Sequence, residues 1–217
     1  LVTVEDTTPR AVDGRVPGRR GLATRQRLLD HVADMLASSS YRDVRVVDVA
    51  RQAGTSPATF YQYFADVEEA VLALAEEVAR AGQDRLVPLV EGPRWRGEEG
   101  YAAALAVVDG YLDFWSDHGS VVRVMDLATN EGDARFHQIR SRLFTRFNEA
   151  LAERVIQERT VGEDIDPRAT AGAMTSMLAH VADHRYGFES YGIRTADFRE
   201  AMGRILFTTV TGRRPPA

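Results

Sequence analysis

Residues 53–64 read AGTSPATFYQYF and carry no formal charge, yet they offer hydroxyls at Thr55, Ser56, Thr59, Tyr61 and Tyr63 and an amide at Gln62. Hydroxyls and amides donate to phosphate oxygens, an amide pairs with a base edge, and a threonine methyl packs on a thymine methyl. On a helix, Phe60 and Phe64 share one face while Thr59 and Tyr63 share another, with Tyr61 and Gln62 flanking it. Core packing alone does not require that second face. Ala58 is small enough to let the backbone approach a partner closely. A second constellation is HVADH at 180–184, where His180 and His184 stand four apart beside Asp183. It lacks the glutamate after the first histidine that a zinc protease helix needs, and no third ligand is suitably spaced, so no metal is expected. The pair can point inward, and it reads better as polar anchors for a ligand or as salt-bridged surface groups. There is no glycine-rich phosphate loop and no nucleophile elbow, so no enzyme and no cofactor are expected.

The elements that must position the first set follow from local signals. Ser56 is a natural N-cap and Pro57 fits the first helical position, where its missing N–H costs nothing. Just before it, Val46, Val49, Ala50 and Ala53 repeat at helical spacing until Gly54 stops them. Two short helices across a turn of about four residues make a helix-turn-helix, whose second helix enters the major groove. Leu28, Leu29, Val32 and Leu36 mark a helix over 22–38. Asp66 and Glu69 predict an acidic capping box that opens a fourth helix running to about 80 or 86. An unfilled cap is left at Arg45, for which Asp43 is the expected substitute. Further helices are predicted over 98–117, 119–129, 133–160, 167–187 and 195–211, punctuated by residues such as Pro88, Gly119 and Pro167. The expectation is an all-α chain of about nine helices with no strand.

Composition sets the outer bounds. The 217 residues, 44% hydrophobic and 27% charged, suffice for a packed core. With no cysteine there is neither a disulfide framework nor a thiolate metal site, and a cytoplasmic location is expected. The first 20 residues lack an apolar signal core, and no run approaches the roughly 20 apolar residues that span a bilayer. Net charge is −5, but it is unevenly spread: residues 1–65 hold nine arginines against seven acids, so a weakly basic front joins an acidic body. Residues 1–20 combine Pro9, Gly14, Pro17 and Gly18 with four arginines and are expected to be a disordered basic arm.

The segment VVDVARQAGTSPATFYQYFADVEEAV resembles the DNA-binding region of the TetR family of bacterial transcriptional regulators. Ala58, Thr59, Phe60, Tyr61, Gln62, Tyr63 and Phe64 all match the family's pattern of small residue, threonine, apolar residue, tyrosine, any residue, tyrosine or histidine, and phenylalanine. The FYQYF run and the later helix pattern look most like mycobacterial regulators with large apolar ligands. Two positions depart. Arg45 stands where the family commonly has threonine or serine, and Val67 where it commonly has a phosphate-pairing lysine. The resemblance implies a helix-turn-helix domain over 21–81 and a ligand-binding and dimerisation domain over 82–217. It also implies duplex-DNA contacts from Arg45, Thr55, Ser56, Pro57, Ala58, Thr59, Tyr61, Gln62 and Tyr63. The arginines at 10, 15, 19, 20 and 25 are expected to add electrostatic affinity, and Arg19 and Arg20 to reach a minor groove.

For the acidic body the resemblance implies assembly and sensing. Ala169, Gly172, Ala173 and Ser176 form a small-residue stripe, and Phe198, Met202 and Ile205 supply bulk, for a homodimer interface made by the last two helices. Leu105, Leu112, Phe114, Trp115, Met125, Phe136, Phe144, Met174, Met177 and Phe207, with His180 and His184, are the expected lining of a pocket for a small apolar ligand; each alone also fits a core. The whole implies a repressor that binds a palindromic operator as a dimer and is released by ligand. The alternatives are a helical enzyme or a ligand carrier built on the His180/His184 pair.

Overall fold

A computed structural model describes residues 10–159 and 165–216. Among the described residues every regular element is helical: α1 (Arg19–Ser38), a 3₁₀ turn (Tyr41–Asp43), α2 (Val46–Gln52), α3 (Pro57–Tyr63), α4 (Val67–Glu91), α5 (Gly97–Asn130), α6 (Ala134–Glu158), α7 (Pro167–Ser190) and α8 (Thr195–Thr211). The eight α-helices stand against about nine expected because the segments 98–117 and 119–129 are one helix. Gly119 is buried within α5 and makes no turn. A helix of that length spans about 50 Å and packs against α4, α6, α7 and α8, so it is the spine of the body.

Helix α4 likewise runs past its expected end. Pro88 lies within its last turn, where its missing N–H withholds the helical donor from a single carbonyl, that of residue 84. Asp66 caps its start by accepting from the Glu69 amide at 2.8 Å. The residues of α1 expected to be apolar, Leu28, Leu29, Val32 and Leu36, are buried, and their core continues without interruption through Phe60, Phe64, Val71 and Val78 to Val107, Phe147, Leu151, Leu206 and Val210. One core thus joins α1–α3 to the body through α4.

Within the arm expected over residues 1–20, residues 11–15 close a hydrogen-bonded turn and α1 already starts at Arg19 rather than near Leu22. The expectation for residues 1–9, and that for Thr160 at the end of the segment 133–160, lie outside the described residues.

Candidate nucleic-acid interface

Helix α3 is only seven residues long, too short to persist alone, and three local features hold it. Gly54 adopts φ +67°, a left-handed conformation that ends the approach from α2. Ser56 Oγ accepts from the Thr59 amide at 3.2 Å, with the Thr59 hydroxyl 3.1 Å away. Phe60 and Phe64 then anchor the inner face, their ring centroids 5.4 Å apart, both buried.

The outer face is consequently displayed. Tyr61 is 52% exposed and Gln62, Ala58, Pro57 and Ser56 are exposed beside it, while Thr59, Thr55 and Tyr63 are half-buried. The Tyr61 ring meets the Phe60 ring edge-on at 5.9 Å, which stiffens it. The Thr55 amide donates to the Ala50 carbonyl at 2.9 Å, closing the turn. Tyr63 packs back towards α1: a Cβ on Gly21 would stand 3.2 Å from its hydroxyl and 2.9 Å from Pro17 Cβ. Residues 11–13 and 15–18, Gly21 and Tyr61–Tyr63 together wall a hollow of about 680 Å³.

The arginines divide. Arg19 and Arg20 are exposed at the start of α1, and Arg45 is exposed at the start of α2. Helix α2 has no side-chain cap, so Asp43 does not take the role expected of it. Arg25 is not a free phosphate ligand. Its side chain is 12% exposed, its guanidinium lies over the Phe64 ring at 5.1 Å, and Nη1 faces Glu77 at 3.4 Å. It ties α1 to α4 instead, a long-range pairing that spacing in the chain does not reveal.

In the body, Phe114, Met125, Phe136 and Phe207 are buried core and Trp115 nearly so, while Leu105, Leu112, Phe144, Met174 and Met177 are half-buried. Trp115 also lines a cleft of about 670 Å³ between α1, α4, α5 and α7, with Asp30, Glu77, His118 and Arg185. Burial holds the His118 imidazole below its ordinary pKa, with Asp117 opposing the shift. The expectation that His180 and His184 point into a pocket is corrected. They stack at 4.2 Å on an exposed face of α7, because Ala171, Thr175, Leu178 and Ala182 hold the buried face. Among the described residues no group of three or more His, Cys, Asp or Glu could hold a metal.

Sequence reasoning missed Tyr111. Its hydroxyl is buried with no hydrogen-bond partner, its ring stacks on Trp115 at 5.3 Å and meets Phe147 at 5.0 Å, and burial pushes its pKa far up. Thr175 on α7 gives its own hydroxyl hydrogen to Asn148 Oδ1. A tyrosine, a threonine and an asparagine on three different helices leave no spacing signal.

On the dimer candidates, Ala169, Ala173 and Ser176 are exposed and Gly172 half-buried along the same α7 face as His180 and His184, and Ile205 is 44% exposed. Phe198 is half-buried against Phe188, centroids 4.7 Å apart. Met202 is the correction: it is buried in the chain's own core, on the face of α8 shared with Leu206 and Val210.

The Tetracyclin repressor-like C-terminal domain family matches residues 86–217. The chain belongs to the TetR family. A curated relative, an uncharacterized HTH-type transcriptional regulator of Haemophilus influenzae, is 28% identical over 131 residues, 60% of this chain. The chain spans 62% of the length of that relative. Solved structures share the fold. The fatty acid degradation regulator FadR from Bacillus halodurans aligns with TM-score 0.66 at 14% identity, covering 89% of this chain and 97% of that one. A TetR-family regulator from Rhodococcus sp. aligns with TM-score 0.63 at 17% identity, covering 86% and 98%. The matched stretch begins within α4, so the α2–turn–α3 unit lies ahead of it.

Proposed function

We propose that this regulator is a repressor that binds a palindromic operator as a homodimer, with α3 in the major groove, and that a small apolar molecule held in the body releases it. The observation that carries the reading is the division of α3: Phe60 and Phe64 in the core, and Tyr61, Gln62 and Ala58 outward on a helix capped by Ser56. Tyr61 and Ser56 hydroxyls suit backbone phosphates, and the Gln62 amide suits adenine N6 and N7. It acts by binding rather than catalysis, in the cytoplasm where bacterial DNA lies.

For assembly, the small-residue stripe of exposed Ala169, Ala173 and Ser176 with half-buried Gly172 lets a second copy of α7 approach closely, and exposed Ile205 on α8 adds apolar area. A two-fold axis there presents two α3 helices to half-sites about 34–36 Å apart. For sensing, the unpartnered hydroxyl of Tyr111, whose ring lies against Trp115 and Phe147, favours an apolar effector with one acceptor atom. Such a ligand acts by binding the DNA-incompetent arrangement more tightly than the competent one.

The test is capture of random-sequence duplexes by the purified protein. Enrichment of an inverted repeat with half-sites one helical turn apart is expected. Recovery of no common sequence at low salt contradicts the reading.

A further inference from the structure

We propose that residues 10–18 are a fixed part of the DNA-reading surface, latched by their backbone to the end of α3, and that Arg10 and Arg15 in that turn neutralise phosphates beside the bases α3 faces. The proposal rests on the reading of α3 as the groove helix.

The latch starts from a property of short helices. The last four carbonyls of any α-helix have no partner within it, and in a seven-residue helix these are more than half of the total. The Gln62 carbonyl is one of them, and it accepts the Val12 N–H at 3.0 Å. The segment that supplies this donor is itself closed. The Ala11 N–H donates to the Arg15 carbonyl at 2.9 Å and the Gly14 N–H to the Ala11 carbonyl at 2.8 Å, with Gly14 at φ +80°. Arg10 Nη1 donates to the Gly14 carbonyl at 3.3 Å, and the Arg15 N–H to Asp13 Oδ1 at 3.1 Å. On the far side Pro17 sits against Gly21, so close that any larger residue at 21 must displace it. The turn is therefore held at two points, on α3 and on α1.

Its charge selects the partner. Between residues 10 and 21 stand four arginines, at 10, 15, 19 and 20, against one acid, Asp13. The Arg15–Asp13 pair, 3.2 Å and largely exposed, is of the weak surface kind that a phosphate displaces readily. A basic turn fastened beside the outward face of Tyr61 and Gln62 is placed for the backbone flanking a groove. The fixed geometry also reduces the ordering that a mobile arm would need on binding.

The experiment measures affinity for one duplex at several salt concentrations, using the sequence recovered by selection. Three full-length proteins are compared: wild type, Arg10→Ala/Arg15→Ala, and Val12→Pro, which keeps every charge and removes the latch donor. For each phosphate that the protein ceases to neutralise, the slope of log affinity against log salt flattens by about 0.9. The double variant is expected to flatten it by about 1 to 2 and to weaken specific and non-specific duplexes alike. Val12→Pro is expected to reproduce much of that change. An unaltered slope in the double variant overturns the proposal, as does tighter binding by Val12→Pro, which would make the turn an occluder. If Tyr61→Ala weakens binding while neither arm variant does, the reading of α3 stands and this proposal alone falls. If wild type binds no duplex, both fall.

Discussion

Gly82 of α4 lies against Leu143 of α6 so closely that a Cβ at 82 would overlap Leu143 Cδ1 and stand 3.1 Å from Phe114 Cζ. This is where the helix that joins α1–α3 to the body crosses it. A glycine within a helix costs about 1 kcal/mol relative to alanine, so its presence there reflects the space it leaves. Gly82→Val is expected to destabilise the protein by about 1–3 kcal/mol through overpacking, read as a lower midpoint in urea with unchanged slope. A midpoint equal to wild type would show that α4 and α6 are not held as described.

Tyr111→Phe is expected to act in the opposite direction. Removing a buried hydroxyl that has no partner relieves a desolvation cost of about 1–3 kcal/mol, so thermal stability should rise or hold while effector release of DNA weakens. A fall in stability would mean that the hydroxyl is satisfied, with Thr175 the candidate.

The pH dependence of stability should carry a signature of His118. Burial holds its pKa below the ordinary value, so above pH 6.5 both folded and unfolded imidazoles are neutral and the residue contributes nothing. As pH falls below 6.5, the unfolded chain takes up a proton that the folded one resists. Stability then declines until the folded pKa is passed. His118→Gln is expected to lose less stability than wild type between pH 7 and pH 5, measured by denaturant melts at each pH. Parallel pH profiles would remove His118 as the cause.

Ala173→Glu places a charge on the exposed α7 stripe without touching the core of the chain. Sedimentation velocity is expected to show monomers for Ala173→Glu and dimers for wild type, with equal helical content. Dimers of undiminished affinity in the variant would move the interface elsewhere.

What was legible from sequence follows a physical line. Local signals read true: Ser56 and Pro57 start α3, Gly54 makes the turn, and Asp66 caps α4. They depend only on residues within one helical turn. Periodicity also placed Phe60 and Phe64 inside. It did not reveal that Gly119 would be carried through α5, because a glycine's role depends on the helices packed around it. Nor could it give Arg25 to Glu77, 52 residues away, or seat Val12 on Gln62. The body residues show the same limit. Phe114, Met125, Phe136 and Phe207 lie on inward faces as their spacing says, but spacing alone does not separate a packed core from the wall of a cavity. His180 and His184 went astray because the four-residue spacing aligns two side chains without saying which way the helix faces.

The most direct measurement is the affinity of wild type and Tyr61→Ala for one operator duplex, by fluorescence anisotropy at fixed salt, with thermal midpoints taken on the same samples. Tyr61 is exposed, so its truncation should leave the fold and midpoint nearly unchanged. The expected result is weakening of operator binding by about tenfold or more, the effect of removing one well-placed group from the DNA interface. Equal affinity at equal stability would contradict the assignment of α3 as the helix that reads DNA.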